Sequence, residues 1–270
     1  MEYDRGYFNG KTAVITGGAS GIGLALTEEL LESGAEKVVM ADINAENLSK
    51  HEERLAGQYG GIIKGILCNV TVEEDVQKLI FQSAEFFGGK VDLLFNNAGA
   101  GFDGWFADMS DADWKIAFDL NFYSALYGMR AVLPIMKAQG SGQIINTISG
   151  IAFAPLAHQA RYSATKSALC ALSISLRAEY WDDNIKISAA SPGTTATAIW
   201  GGGPVPDYAQ APRQSAKNIL KGVVANDRII TGDDKDLEIF AKSHDPGQQK
   251  YMDEFLLHIA RERREGSHGL

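Results

Sequence analysis

The segment TAVITGGASGIG, residues 12–23, joins a short apolar run to a glycine-rich turn and then to a helical segment. The apolar run 12–16 is typical of a buried strand. Glycines in the turn let the backbone bend sharply and approach a ligand closely, because glycine has no Cβ. A plain tight turn would use the same residue type. The position between the first strand and the first helix favours a pyrophosphate-binding turn, since a helix N-terminus offers free amide groups to an anion.

The same order of strand and helix repeats along the chain. Strands are predicted at 12–16, 37–41, 62–67, 91–95, 143–147, 185–190 and 228–231. Helices are predicted at 21–33, 45–59, 72–87, 111–138, 161–181, 213–225 and 248–264. Because apolar residues are nearly continuous within the strands, we expect both faces of each strand to be buried. The sequence therefore predicts an α/β fold, with a doubly wound parallel sheet of about seven strands and helices on both faces.

The composition excludes several classes of protein. Hydrophobic residues make up 45% of the 270 residues and charged residues 22%, as in ordinary globular proteins. The net charge of −9 argues against a nucleic-acid partner, since such proteins usually present a basic surface. No run reaches the roughly 18 apolar residues that would suggest a membrane span, and residues 1–11 lack the apolar part of a signal peptide. We therefore expect a cytoplasmic protein without a membrane or nucleic-acid partner.

Cysteine and histidine usage points the same way. Cys68 and Cys170 are the two cysteines and lie far apart, which favours a reducing compartment over a disulfide framework. The five histidines show no metal-ligand spacing, so no metal site is expected. No linker or repeat divides the chain, and a single domain over residues 1–270 is predicted. The stretch 201–212, GGGPVPDYAQAP, is predicted to be an irregular loop within it.

Asp42 follows the second predicted strand, about 19 residues beyond Gly23. A carboxylate at this place can accept hydrogen bonds from the ribose hydroxyls of an adenosine and repel a 2′-phosphate. The neighbouring residues Ala41, Ile43 and Asn44 supply no cation that would attract that phosphate. The alternative is a helix N-cap at this position, a role that Asn44 fits at least as well. The pattern favours NAD over NADP.

Other polar and glycine-containing segments also follow predicted strands. Asn69 and Val70 follow the third strand, Asn96–Gly99 the fourth, Ser149 the fifth, and Pro192 and Gly193 the sixth. Singly, such clusters are turns. Because the carboxyl ends of parallel strands meet at one edge of a sheet, together they predict one continuous ligand crevice.

These motifs resemble those of the short-chain dehydrogenase/reductase family, in its main single-domain branch. The resemblance extends from Thr12 to Thr197 and rests on TGGASGIG (16–23), NNAG (96–99), Asn121 in DLNFYS, NTIS (146–149), YSATK (162–166) and PGTTAT (192–197). It implies a three-layer Rossmann fold. Residues 199–226 and 248–270 fall in the variable part of the family, which forms a substrate loop and a C-terminal helical region. Sequence alone leaves open whether the last helix covers the pocket or a neighbouring subunit.

The resemblance implies a catalytic set of Ser149, Tyr162, Lys166 and Asn121. Tyr162 would be the general acid/base, Lys166 would lower the Tyr162 pKa and hold the nicotinamide ribose, and Ser149 would hydrogen-bond the substrate oxygen. Asn121 would interrupt its helix to hold a water that passes protons through Lys166. The chemistry of the residues agrees, since an ammonium group favours a phenolate whose ordinary pKa is about 10. The spacing of Tyr162 and Lys166 alone would also fit packing on one helix face.

The resemblance also implies the contacts of the cofactor. The phosphates would meet the glycine turn, Asp42 the adenosine ribose, Asn69 and Val70 the adenine, and Asn97 the nicotinamide ribose region. Thr195 and Thr197 would reach the carboxamide. The cofactor-binding residues are then Gly17, Ser20, Gly21, Ile22, Gly23, Asp42, Asn69, Val70, Asn97, Tyr162, Lys166, Thr195 and Thr197. Asn69 stands where the family often has aspartate, and Thr194 and Thr195 make the last segment more polar than usual.

The expected activity is NAD-dependent interconversion of a secondary alcohol and a ketone. Residues just beyond the strand ends favour a hydrophobic substrate, alicyclic or steroid-like, over a sugar. The candidates are Ala100, Gly101, Phe102, Ile151, Phe153, His158, Gln159, Trp200 and Tyr208. Phe153 and Trp200 could equally be core or interface residues. Relatives usually form homotetramers through the helices predicted at 111–138 and 161–181, with a dimer as the alternative.

Two other functions compete with this one. A cofactor-binding regulator or scaffold could use the same fold without turnover, although such proteins typically lose the tyrosine or lysine that this chain retains. An epimerase or dehydratase of the family would usually carry a longer substrate domain.

Overall fold

The computed structural model describes residues 3–201, 203 and 205–266. Within them, seven strands form one sheet: β1 (Thr12–Thr16), β2 (Lys37–Asp42), β3 (Ile63–Leu67), β4 (Leu93–Asn96), β5 (Gly142–Thr147), β6 (Ile185–Ser191) and β7 (Ile229–Thr231). All pairings are parallel and the strand order is β3-β2-β1-β4-β5-β6-β7. Two residues of the predicted loop, Gly202 and Pro204, and the end of the predicted C-terminal region, 267–270, lie outside the described residues.

The helices are α1 (Gly21–Glu32), α2 (Ala45–Tyr59), α3 (Glu73–Phe87), α4 (Asp111–Phe118), α5 (Ser124–Gln139), α6 (Ala160–Glu179), α7 (Pro212–Ala225), α8 (Asp234–Ser243) and α9 (Gln249–Arg264). They cover both faces of the sheet. Alternate residues of each strand enter opposite cores, because side chains alternate across a strand. Val14, for example, joins the core under α3, α5 and α6, whereas Ala13 and Ile15 join the core under α1, α2 and α7. The predicted doubly wound sheet is confirmed.

Two helical features differ from the predicted helix ranges, and the first is the interruption at Asn121 that the family resemblance implied. The predicted helix 111–138 is divided into α4 and α5 by a π-helical turn, Asp119–Tyr123, which contains Asn121. Helix α8 was not predicted, and its sequence begins in the polar stretch GDDKD. Asp233 begins it by accepting a hydrogen bond from the backbone amide of Asp236 at 2.7 Å.

The described residues hold no helix that is both long and apolar enough to cross a membrane. In the same part of the chain, no group of three or more histidine, cysteine, aspartate or glutamate side chains is arranged to hold a metal ion.

Candidate active site

A crevice of about 780 Å³ lies at the carboxyl edge of the sheet and is lined by residues that follow β1, β4, β5 and β6. Most of the residues singled out in the sequence line it. Those present are Gly17, Ser20, Gly21, Ile22, Asn97, Ser149, Tyr162, Lys166, Thr195 and Thr197. Gly23, Asp42, Asn69, Val70 and Asn121 lie outside its lining. The strand order explains much of this grouping, because β1, β4, β5 and β6 are consecutive neighbours in the sheet.

The glycine-rich turn packs too tightly for larger residues. Gly17 has a φ of +65°, in the left-handed region. A Cβ on Gly23 would lie 2.0 Å from the carbonyl oxygen of Gly17. Ser20 precedes α1 but makes no side-chain capping hydrogen bond to it. The first backbone amides of α1 are therefore not capped by the Ser20 side chain, which leaves them available to bind a phosphate group.

Asn97 fixes the other side of this turn. Its side-chain nitrogen donates to the carbonyl oxygen of Thr16 at 3.0 Å, and its backbone amide donates to the Thr16 hydroxyl at 3.0 Å. The carboxyl ends of β1 and β4 are thereby held together beside the glycines.

Asp42 lies at the end of β2 and is tied to the same turn. One carboxylate oxygen accepts a hydrogen bond from the Ala19 amide at 3.1 Å, and the other from the Asn44 amide at 3.0 Å. Asn44 itself caps α2 by accepting from the Asn47 amide at 2.9 Å. The helix-capping role considered for this position therefore belongs to Asn44, and Asp42 borders the glycine turn instead.

Asn69 and Val70 follow β3, which lies at the edge of the sheet beyond β2. The Asn69 side-chain oxygen accepts from both the amide and the hydroxyl of Thr71, at 3.1 and 2.8 Å. Val70 is buried. These residues form a local turn and are not brought into the crevice with the others.

Helix α6 presents Tyr162 and Lys166 on one face, one turn apart, and both are buried. Ser149 begins the short 3₁₀ helix Gly150–Ala152 after β5, and its hydroxyl accepts from the Ile151 amide at 3.4 Å. Ser149 and Tyr162 share a side-chain hydrogen bond. The Lys166 nitrogen lies 5.8 Å from the centre of the Tyr162 ring. The serine, tyrosine and lysine thus converge in the crevice.

Burial perturbs both titratable groups of this set. It raises the pKa of Tyr162 to about 12, and the hydrogen bond from Ser149 acts in the opposite direction. Burial lowers the pKa of Lys166 to about 8, because a charged ammonium loses its hydration there. At a pH below about 8, Lys166 is a cation, so the crevice combines a buried phenol with a buried positive charge.

Asn121 stands behind the crevice and is almost fully buried. Its side-chain oxygen accepts from the Ala100 amide at 3.0 Å, and its side-chain nitrogen donates to the Ala100 carbonyl oxygen at 2.9 Å. Gly99 separates it from Lys166. A Cβ on Gly99 would lie 2.8 Å from the Asn121 oxygen and 3.4 Å from the Lys166 nitrogen. The π-helical turn therefore brings Asn121 close to the buried ammonium.

The candidate substrate residues divide into two groups. Ala100, Gly101, Ile151, Gln159, Trp200 and Tyr208 line the crevice, whereas Phe102, Phe153 and His158 do not. Phe153 packs in the core, with its ring centre 4.9 Å from that of Phe240, so the core alternative was correct for it. The Trp200 ring nitrogen donates to the Thr195 carbonyl oxygen at 2.8 Å, which fixes the indole at the crevice.

Two C-terminal helices complete the crevice. Helix α8 contributes Lys235, Asp236 and Ile239, and α9 contributes Phe255, Ile259 and Arg263. Sequence reasoning missed α8 altogether. It predicted the last helix at 248–264 and left its position open, although the four-residue spacing of Phe255, Ile259 and Arg263 could have placed these three residues on one face. The last helix therefore covers the pocket of its own chain.

Comparison with known proteins agrees with this geometry. A family model described as short chain dehydrogenase matches residues 11–202. An uncharacterized oxidoreductase of Staphylococcus aureus is 36% identical over 189 residues, which are 70% of this chain and 80% of the relative.

Two solved structures share the architecture. A short chain dehydrogenase/reductase from Burkholderia phymatum in complex with NAD is 27% identical, with a TM-score of 0.79 over 87% of this chain and 92% of that one. L-Sorbose reductase from Gluconobacter frateurii, complexed with NADPH and L-sorbose, is 27% identical, with a TM-score of 0.76 over 84% and 96% of the two chains. The two neighbours bind different nicotinamide cofactors.

Proposed function

The chain belongs to the short-chain dehydrogenase family of oxidoreductases, and we propose that it interconverts a secondary alcohol and a ketone with NAD as the hydride carrier. The observation that carries the proposal is the convergence of Ser149, Tyr162 and Lys166 in a crevice that begins at the glycine turn. A cofactor-binding regulator would not require a buried phenol beside a buried ammonium. Burying a phenol and an ammonium group destabilises the fold, and we propose that this cost is retained because the two groups take part in proton transfer.

The bound nicotinamide would accept or supply the hydride. We propose that the glycine turn and the first turn of α1 hold its pyrophosphate, with Asp42 at the adenosine ribose. Asn69 and Val70 would contact the adenine from the end of β3. The residues proposed for the nicotinamide half are Asn97, Tyr162, Lys166, Thr195 and Thr197.

Tyr162 transfers the proton in this proposal. During alcohol oxidation its oxygen takes the hydroxyl proton of the substrate, and during ketone reduction it returns that proton to the carbonyl oxygen. Ser149 donates a hydrogen bond to the same substrate oxygen and stabilises the charge that develops there. The Lys166 cation favours the phenolate and so opposes the effect of burial on the Tyr162 pKa.

Asn121 and Lys166 would connect the site to solvent. The small space at Gly99, between the Asn121 oxygen and the Lys166 nitrogen, supports a role in holding a proton-carrying water. The hydrogen bonds of Asn121 to Ala100 keep its amide in one orientation.

The preference for NAD is proposed on the position of Asp42. Its carboxylate borders the glycine turn through the Ala19 amide. A 2′-phosphate at the adenosine ribose would bring like charge to this place, while two ribose hydroxyls could donate to it. The residue after it, Ile43, is exposed and uncharged.

A hydrophobic secondary alcohol is the substrate class proposed. Ile151, Ile239, Phe255 and Ile259 contribute apolar side chains to the lining of the crevice. Apolar walls with a few polar groups are typical of sites that bind alicyclic or steroid-like molecules.

We also propose a homotetramer built on the α4–α5 segment and α6. Ile116 is 57% exposed and Tyr123 is 39% exposed, which leaves apolar surface on that segment. Light scattering of the purified protein would distinguish a tetramer from a dimer or a monomer.

The test of the activity is turnover of a panel of hydrophobic secondary alcohols with NAD and with NADP, followed at the nicotinamide absorbance. Tyr162→Phe is expected to lower kcat by roughly 100-fold or more while cofactor binding is retained. Tyr180→Phe, at the residue that directly follows α6, is the matched control. Tight NAD binding without turnover of any alcohol would favour the regulator instead, and retained activity in Tyr162→Phe would overturn the proton-transfer role.

A further inference from the structure

Helix α8 brings one more ionisable side chain into the crevice. Asp236 is only 8% exposed and lines the crevice next to Gly150. One of its carboxylate oxygens lies 2.5 Å from the position that a Cβ on Gly150 would occupy. Gly150 directly follows Ser149, so the missing side chain at Gly150 makes room for the carboxylate beside the proposed reaction site.

The orientation of Asp236 is fixed by the segment that follows β6. The Ser191 hydroxyl donates to one carboxylate oxygen, and the Gly193 amide also hydrogen-bonds the group. A carboxylate has about four lone-pair positions, so two such donors leave acceptor capacity. The carboxylate is therefore held in place and can still accept a hydrogen bond from a ligand.

The charge of Asp236 reaches the reaction site. Its carboxylate raises the pKa of Tyr162. Burial in turn raises the pKa of Asp236 to about 6, so the group is still mainly ionised at neutral pH. A partly desolvated carboxylate gains more from a hydrogen-bond donor than an exposed one.

The surrounding charges indicate which kind of donor fits. Among the described residues that line the crevice, Asp236 is the only carboxylic acid, whereas Lys166, Lys235 and Arg263 are cationic groups. An ammonium group of a substrate would meet these three cations. A neutral hydroxyl group would donate to Asp236 without that repulsion.

We propose that Asp236 is a specificity-determining residue that accepts a hydrogen bond from a second hydroxyl group of the substrate, bound beside Gly150. The preferred substrate class is then a hydroxylated alicyclic alcohol, a diol rather than a mono-alcohol. This inference rests on the proposed alcohol dehydrogenase function and narrows it.

The experiment compares matched alcohols in matched variants. Cyclohexanol and the 1,2-, 1,3- and 1,4-cyclohexanediols present one ring with a second hydroxyl at increasing distance. The measured quantity is the ratio of kcat/KM for each diol to kcat/KM for cyclohexanol. The wild type is expected to favour at least one diol, and Asp236→Leu to lower that ratio roughly 10-fold or more. Asp236→Asn keeps an acceptor oxygen and should give an intermediate ratio.

Asp233→Asn is the control for a purely structural role. Asp233 also joins α8 to the segment after β6, by accepting from the Thr194 amide at 3.2 Å, and it accepts from the Asp236 amide at 2.7 Å through its other carboxylate oxygen. Asparagine keeps one acceptor oxygen for the Asp236 amide, and Asp233 does not line the crevice. Weakening that attachment should lower the melting temperature and leave the diol ratio unchanged. Equal loss of the ratio in Asp233→Asn and Asp236→Asn, or a wild type without preference for any diol, would overturn the proposal.

The outcomes also separate this inference from the function on which it rests. If cyclohexanol is turned over in a Tyr162-dependent way and no diol is preferred, the dehydrogenase activity is supported and the proposed role of Asp236 is overturned. If none of the alcohols is turned over, calorimetric binding of the diols in the presence of NAD decides. Tighter diol binding by the wild type than by Asp236→Leu and Asp236→Asn supports the contact, and equal binding overturns it.

Discussion

The side-chain nitrogen of Lys166 donates a hydrogen bond to the carbonyl oxygen of Thr147 at 2.8 Å. Thr147 is the last residue of β5, so this bond links α6 to the strand that leads into Ser149. The lysine is almost fully buried, and burial lowers its pKa from 10.5 to about 8. At neutral pH the fold therefore contains an ammonium group that would be more stable in water.

Replacing Lys166 by methionine is expected to remove this electrostatic cost together with the activity. The folded state binds the lysine proton more weakly than the unfolded state, so the cost is fully present below pH 8 and disappears as the pH rises through 10.5. The stability of Lys166→Met relative to the wild type should fall by about 2 to 3 kcal/mol between pH 7 and pH 10. Urea unfolding at both pH values measures this difference.

Lys221→Met provides the control, because Lys221 is exposed on α7. Its stability relative to the wild type should change little with pH over the same range. A similar pH dependence in both variants would show that the burial of Lys166 does not destabilise its charged form.

A second prediction concerns the glycine turn. Gly23→Ala would place a methyl group 2.0 Å from the Gly17 carbonyl oxygen, so the turn must open. We expect a loss of more than about 2 kcal/mol in the free energy of unfolding and at least a 10-fold weaker affinity for NADH. Denaturant titration and NADH fluorescence measure the two effects.

The control for that change is Gly57→Ala in α2, where a Cβ would meet nothing within 4 Å. Alanine in a helix is favoured over glycine by about 0.5 to 1 kcal/mol, so this variant should be slightly more stable and bind NADH normally. Unchanged NADH affinity in Gly23→Ala would contradict the assignment of the turn to the cofactor.

The local patterns were sufficient to predict the sheet. Each strand carries a nearly continuous apolar run because helices cover both of its faces, and that property is visible without knowledge of the neighbours. The break at Asn121 was not visible as periodicity, since the apolar pattern passes through the π-helical turn with little change. It was expected only because the DLNFYS segment resembles a known motif.

The part of the crevice that α8 forms was not predicted, because it depends on contacts between segments that are distant in sequence. Asp236 enters the site because Ser191 and Gly193 hold it, and these residues are more than 40 positions away. A polar stretch such as GDDKD gives no sign of such burial by itself. Tyr162 and Lys166, by contrast, share a helix face through their own spacing, and the sequence was enough to pair them.

The charge of Asp42 should control the choice of cofactor. Asp42→Asn keeps an oxygen that can accept from the Ala19 amide and removes the negative charge. We expect the ratio of kcat/KM for NADP to that for NAD to rise roughly 10-fold or more, because the repulsion of a 2′-phosphate is removed. Steady-state kinetics with both cofactors give the ratio.

Asp92→Asn is the matched change at the opposite end of the sheet, where Asp92 accepts from the Thr12 amide at 2.8 Å. It should alter stability without altering the cofactor ratio. A wild-type enzyme that already prefers NADP would show that Asp42 does not select the cofactor.

The last prediction concerns Asn121, whose amide pairs with both backbone groups of Ala100. Asn121→Leu leaves that amide and that carbonyl without these partners in a buried place, and each loss costs about 1 to 3 kcal/mol. We expect the free energy of unfolding to fall by about 2 to 6 kcal/mol and activity to fall with it. Asn47→Leu makes the same change on α2, at a half-buried position, and should cost less than about 1 kcal/mol. If Asn121→Leu unfolds at the same urea concentration as the wild type, the π-helical turn does not depend on these two hydrogen bonds, and Asn121 would then act on the proton path alone.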